Sequence, residues 1–152
     1  LMLDSDLLGP GRILAGVRVN SQKRLLELIS NTLAKKNKEL SAREIFESLC
    51  AREHLGSTAL GNGIAIPHGR ITGTKDVQAL FLRLQKPLPF DADDGEPVDL
   101  IFALTVPKEY TEDHSKLLSS IAERFGEPKL LKQIRAAADA NEIWYLLSGS
   151  HA

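Results

Sequence analysis

The sequence predicts a single α/β domain, with helices opening the chain, a block of strands in the middle and helices closing it. Three observations carry this prediction. Apolar residues recur at helical spacing around Leu25, Leu26, Ile29 and Leu33, and again around Leu117, Leu118, Ile121 and Phe125. Between them, Val98 to Val106 is the most apolar segment of the chain and has strand length. Glycine, proline and Asp-Gly breaks separate the segments, with no repeat, linker or low-complexity stretch. The 152 residues, 43% hydrophobic and 26% charged, suffice for one full core spanning residues 1–152.

Each element follows from local chemistry. Residues 1–11 form a loose opening around Gly9-Pro10-Gly11, and Ile13 to Val17 reads as a short strand. Asn20 or Ser21 can cap the first helix, whose solvated end is Lys35-Lys36-Asn37-Lys38. Ser41-Ala42-Arg43-Glu44 has the pattern of a capping box, followed by the buried stripe Ile45, Phe46, Leu49 and Cys50; Gly56 stops that helix. Short strands are expected at Ser57 to Leu60 and Gly63 to Ile66, and a longer one at Val77 to Leu84, ended by Lys86-Pro87-Leu88-Pro89. Asp94-Gly95 centres a polar turn, and Pro107 stops the Val98 strand. Thr111 is placed to cap the next helix, Pro128 opens another running to about Ala138, and Asn141 caps a last one carrying Ile143, Trp144 and Leu147.

Charge and composition exclude several functions. The net charge is -1 with both signs interleaved, so nucleic-acid binding has no electrostatic support. No apolar run approaches the length that crosses a bilayer, which argues against membrane insertion. One cysteine, Cys50, cannot form an internal disulfide, which fits a reducing cytoplasm. No signal-peptide pattern opens the chain, and a first residue of Leu1 suggests that a few residues precede it in the native protein.

Chemistry concentrates between Arg52 and Arg70. Pro67 and Gly69 flank His68 and hold it on a stiff rim, so it is either a nucleophilic or acid/base imidazole or a structural histidine bonding a loop carbonyl. Arg52 and Arg70 suit a phosphate, or else a helix end and a solvated loop. His114 precedes Leu117 and Leu118 on their inward edge, either beside another imidazole or as a satisfied core-edge residue. Ser57 and Thr58 offer hydroxyl donors beside the glycine turn. Cys50 and His54 stand at helical spacing for a metal, with His68 and His114 as further ligands, but Cys50 lies on the buried stripe and no second close ligand pair exists. The residues therefore predict no metal. Walker, dinucleotide-binding, nucleophile-elbow and EF-hand patterns are absent.

The run from Arg52 to Arg70, containing Gly56-Ser57-Thr58-Ala59-Leu60-Gly61-Asn62-Gly63-Ile64-Ala65-Ile66-Pro67-His68-Gly69, closely resembles the signature of enzyme IIA domains of the phosphoenolpyruvate-dependent phosphotransferase system. The match is to the fructose/mannitol class, and most to its nitrogen-related regulatory branch. It continues through Phe90-Asp91-Ala92, through Pro97-Val98-Asp99-Leu100-Ile101-Phe102-Ala103-Leu104 and to His114, covering nearly the whole chain.

The resemblance implies a mixed β-sheet flanked by helices on both faces. It implies that His68 accepts a phosphoryl group from a phosphorylated histidine carrier protein, that Arg52 stabilises the transferring group and that His114 lies beside His68 as an orienting second histidine. Ser57 and Thr58 are expected to add phosphate-binding donors, since phosphoryl transfer asks mainly for positioning and charge stabilisation. No cofactor is implied. Leu55, Ala59, Leu60 and Ile71 are expected to form an apolar rim where the donor docks. Two departures stand out: Ala59 occupies a position where the family commonly has glycine, and Ser115 one where it commonly has an apolar residue. The expected function is a cytoplasmic bacterial phosphotransferase acting mainly as a nitrogen-related regulator that binds target proteins. The alternatives are a fructose- or mannitol-type enzyme IIA feeding an enzyme IIB for sugar uptake, and a binding-only module.

Overall fold

In the computed structural model, which describes residues 7–109 and 112–149, a six-stranded mixed sheet is covered by helices on both faces. The strands are β1 (Ile13–Val17), β2 (Ala59–Gly61), β3 (Ile64–Ala65), β4 (His68–Ile71), β5 (Gln78–Leu88) and β6 (Val98–Pro107). The α-helices are α1 (Gln22–Lys36), α2 (Ala42–Leu55), α3 (Glu112–Arg124), α4 (Pro128–Ala136) and α5 (Ala140–Ser148). The sheet runs β1-β5-β6-β3-β2, and β4 pairs with β6 beyond β3. This is the α/β architecture expected from the order of elements, with helices on both faces as the resemblance implies.

β6 and the first half of β5 are largely apolar, in keeping with burial on both faces, whereas Gln85, Lys86 and Pro87 at the far end of β5 are exposed. Successive residues alternate between two cores. Leu100, Phe102 and Leu104 point to α3, α4 and α5, while Ile101 and Ala103 point to α1 and α2. On the first face Phe125, the residue just after α3, lies 5.9 Å from Phe81 and 5.3 Å from Phe102, ring centre to ring centre. That cluster seats α3 on the sheet. On the second face Leu25, Ile29 and Leu33 of α1 and Ile45 and Leu49 of α2 fill the space above Leu80, Leu82 and Ile101.

The capping expectations mostly hold. Ser21 accepts from the amide of Arg24, and Ser41 from that of Glu44. The Glu44 carboxylate reaches across to Thr72, accepting from both its amide and its hydroxyl, and so ties α2 to the end of β4. Asp139, not Asn141, caps α5, accepting from Glu142 two residues inside the helix start. Thr111 lies outside the described residues. Pro10–Arg12 forms a 3-10 turn within the opening segment expected to be loose.

Two strands differ from expectation. β5 continues through Pro87 to Leu88 because its ladder with β6 shifts register between Arg83 and Leu88, and a proline is tolerated where a ladder is irregular. The segment from His68 to Ile71, expected as a rim, is a strand. Its pairing with β6 keeps the offset that β3 has, so β3 and β4 are one parallel partner interrupted at Ile66 and Pro67. The carbonyl of Pro67 still accepts from the amide of Leu104, at 2.9 Å.

The seating of α2 on β4 requires glycine at 69. A Cβ there would meet Cβ of Ser48 at 2.9 Å and its backbone carbon at 3.1 Å, and would press on the Ser48 hydroxyl. That hydroxyl donates to the carbonyl of Arg70, at 2.9 Å. Gly69→Ala is expected to destabilise the domain by about 1–3 kcal/mol, read as a lower midpoint in urea with little change in slope.

Candidate phosphoryl-acceptor site

His68 begins β4, and strand alternation aims its side chain at the α3 side of the sheet, opposite the Gly69 contact with α2. It is half-buried, and its Nδ1 lies 2.8 Å from the carbonyl oxygen of Ile66. A carbonyl only accepts, so Nδ1 carries the proton and Nε2 keeps its lone pair. Burial pushes the His68 pKa below its ordinary 6.5, the Arg52 charge adds to that, and the Ile66 bond and Glu53 oppose it. The imidazole is therefore neutral at pH 7, with one nitrogen fixed and the other nucleophilic.

Two clefts meet at this ring. One, of about 290 Å³, is lined by Arg52, Ser57, Thr58, Ala59 and Leu60 from the end of α2 and the β2 edge, and by Leu118, Ser119 and Ala122 of α3. The other, of about 530 Å³, is bordered by Ser48, Arg52, Leu55, Arg70, Val106 and Leu118. Arg52, His68 and Leu118 are shared by both. Ser48 and Arg52 are one helical turn apart, so the contact that seats α2 against Gly69 also carries the guanidinium to the imidazole.

Arg52 donates to the carbonyl of Gly56, at 2.8 Å, which folds its guanidinium over the helix end. Glu53, the next residue, accepts from the Thr58 amide and hydroxyl and from Gln22. Ser57 donates to the carbonyl of Phe90 and accepts from the amide of Ala59. The hydroxyl protons of Ser57 and Thr58 thus close the α2–β2 connection, although both residues border the cleft.

Of the expected rim, Leu55 is 84% exposed and Leu60 44% exposed, and Ala59 is partly buried beside them. Ile71 is a correction: at 1% exposure it packs in the core under α1 and α2, because its strand parity turns it to the face opposite His68. His114 lies in the first turn of α3, partly buried, one turn before Leu118 on the same stripe. It borders neither of the two clefts.

Sequence reasoning missed Glu53 and the α3 wall. Adjacency to Arg52 marks Glu53 only once the chain turns back at Gly56, and Leu118 reads as core because its spacing is that of a core stripe. Cys50 and His54 border a separate cleft with Gln22, Lys23, Leu26 and Glu53. Among the described residues, no three histidine, cysteine, aspartate or glutamate side chains gather as a metal site, and no helix is long and apolar enough to cross a membrane.

A half-buried imidazole thus shares two clefts with an arginine, on a mixed sheet between two helical layers. The family profile described as "Phosphoenolpyruvate-dependent sugar phosphotransferase system, EIIA 2" matches residues 6–150. The chain belongs to this family. It is 45% identical over 142 residues to a nitrogen regulatory protein of Pseudomonas aeruginosa, spanning 93% of this chain and 92% of that one. It is 41% identical over 147 residues to a nitrogen regulatory protein of Bradyrhizobium diazoefficiens, spanning 95% and 94%. The crystal structure of the nitrogen regulatory protein IIA-Ntr from Neisseria meningitidis superposes with a TM-score of 0.88 at 40% identity, covering 94% of this chain and 97% of that one. IIA mannitol from Escherichia coli shares the fold, with a TM-score of 0.76 at 17% identity.

A histidine whose folded pKa is depressed adds stability above its ordinary pKa and loses it as pH falls through 6.5 towards the folded midpoint. NMR titration of the His68 ring should give a midpoint below 6.5, and Arg52→Gln should move that midpoint upward. A midpoint unmoved by Arg52→Gln would show that the guanidinium does not act on the ring.

Proposed function

We propose that His68 accepts a phosphoryl group on Nε2 from a phosphohistidine carrier protein, and that the phosphorylation state of this face governs binding of regulatory target proteins. The single observation that carries this reading is the Nδ1 bond to Ile66, which leaves Nε2 as the nucleophile of a neutral ring beside Arg52.

In the transfer, the N–P bond of the carrier breaks as the Nε2 lone pair forms a new one. The electron pair of the broken bond stays on the carrier imidazole, which leaves neutral if its other nitrogen is protonated. The His68 ring becomes an N-phosphorylated imidazolium, and its Nδ1–H still donates to Ile66. No proton has to move, and no metal is needed. Arg52 supplies positive charge to the equatorial oxygens. Its anchoring at Gly56 aims the fork without using its remaining donors. Ser57 and Thr58 serve by holding the loop rather than by donating to phosphate, since their protons have partners. His114, one turn before Leu118 on α3, is assigned by the family resemblance the role of a second histidine that orients His68. Leu55, Ala59 and Leu60 form the apolar surface on which the carrier docks.

A regulatory role is favoured over sugar uptake by the relatives, since those of 41–45% identity spanning over nine-tenths of both chains are nitrogen regulatory proteins. A 2-O-alpha-mannosyl-D-glycerate-specific EIIABC component of Escherichia coli is 31% identical, and the match spans 20% of it. Adding about two negative charges at His68 changes the surface seen by a partner, which is how a phosphorylation switch operates.

Incubation with phosphoenolpyruvate, enzyme I and the carrier protein should add the mass of one acid-labile phosphoryl group to the wild type and none to His68→Ala. Arg52→Gln should slow the gain by roughly 100-fold or more, the cost typical of losing one transition-state donor. Leu60→Asp should raise the KM for the carrier while leaving the fold intact by circular dichroism. No mass gain with several carriers would leave a binding-only domain as the better account; steady passage of the group to an enzyme IIB would reassign the chain to sugar transport.

A further inference from the structure

We infer that Arg135 of α4, with Asp94 and Asp99, is a positioning residue for the phosphoryl-transfer face, acting through the β2–β3 hairpin; this rests on the phosphotransfer reading of His68. The hairpin carries Ala59 and Leu60, which wall the smaller cleft at His68, yet β2 is a three-residue edge strand paired with β3 alone. Only Ala59↔Ala65 and Gly61↔Ile64 are in register, with an irregularity between them. So short an edge strand does not hold its place by its own ladder.

Its turn is held from outside on both sides. The Asn62 amide donates to Asp94, at 2.9 Å, and the Asn62 carbonyl accepts from Nη2 of Arg135, at 2.6 Å. Arg135 is itself fixed by a fork on Asp99, with Nε 3.0 Å from Oδ2 and Nη2 2.8 Å from Oδ1. The amides of Asp99 and Leu100 both donate to the Gly63 carbonyl, at 3.0 Å each. Gly63 has φ +79, and a Cβ there would press on the Arg135 guanidinium and come within 3.0 Å of Asp99. The guanidinium therefore sits in the space that a glycine leaves open. Arg135 and Asp99 border a cleft of about 550 Å³ that does not include His68, so any effect on transfer passes through the hairpin. The glycine turn is a socket for a guanidinium.

The test measures His68 phosphorylation from two donors: the phosphorylated carrier protein over a range of concentrations, and phosphoramidate, a small donor that needs no docking surface. Arg135→Ala and, on the exposed side of the same turn, Asp94→Ala should each raise the carrier KM by order tenfold. That is less than the ~100-fold cost of misplacing the reacting groups themselves. Their kcat and their rate with phosphoramidate should match the wild type. In a Leu60→Ala background Arg135→Ala should add little, the non-additivity expected when one residue acts through another.

A wild-type carrier KM in both variants would overturn the inference. So would equal slowing with both donors, or full additivity with Leu60→Ala, since either places the effect outside the hairpin. Failure of the wild type to be phosphorylated by either donor would overturn the phosphotransfer reading and the inference with it, and the wild-type control separates that outcome from the others.

Discussion

The site depends on how closely α2 can approach β4. Helix and strand come together where Gly69 has no side chain, and Ser48 fills the gap and bonds the carbonyl of Arg70. One turn further along the helix stands Arg52, and one residue after it Glu53. The first brings charge to His68, and the second draws Thr58 back so that the connection to β2 turns past the ring. A larger residue at 69 would lift the helix, and with it the guanidinium, the loop and one wall of both clefts. The opposite wall is fixed independently, by Phe125 at the end of α3 against Phe81 and Phe102.

The electrostatics follow from this packing. Partial burial keeps the His68 ring neutral, a backbone carbonyl settles which nitrogen holds the proton, and a nearby guanidinium both disfavours protonation and waits for an anion. These three influences act together. A neutral nucleophile beside a fixed cation suits an acceptor that gains negative charge on reaction, and it lets the group be given up again when a partner offers a similar setting.

Much of the fold is legible in the chain because local chemistry and tertiary packing agree. Ser21 and Ser41 cap where their sequence position says they should, and the apolar stripes of α1 and α3 face the sheet. The misses share one cause, which is that neighbours distant in sequence override local signals. β4 reads as a rim because proline and glycine break strand patterns, yet β6 supplies a ready ladder and carries the chain through Pro67. Pro87 looks like a strand end until the register shift with β6 accommodates it. Asn141 is a fair cap by type, but Asp139 stands where α5 leaves the preceding turn.

The sequence by itself determined the candidate acceptor His68, the order of the helices and of every strand but β4, and the family, since each rests on residue type and spacing. Tertiary structure alone decided which side chains face the ring. Strand parity sends Ile71 into the core while Leu60 stays exposed, although both looked like rim residues. Hydrogen bonds between segments commit the Ser57 and Thr58 protons to Phe90 and Glu53, where spacing suggested a ligand. The Gly61-Asn62-Gly63 turn receives Arg135 and Asp94, residues more than thirty positions away in the chain. Spacing along a chain fixes what a residue can do, but a hydrogen-bond donor has one proton and a side chain one face, and only packing assigns them.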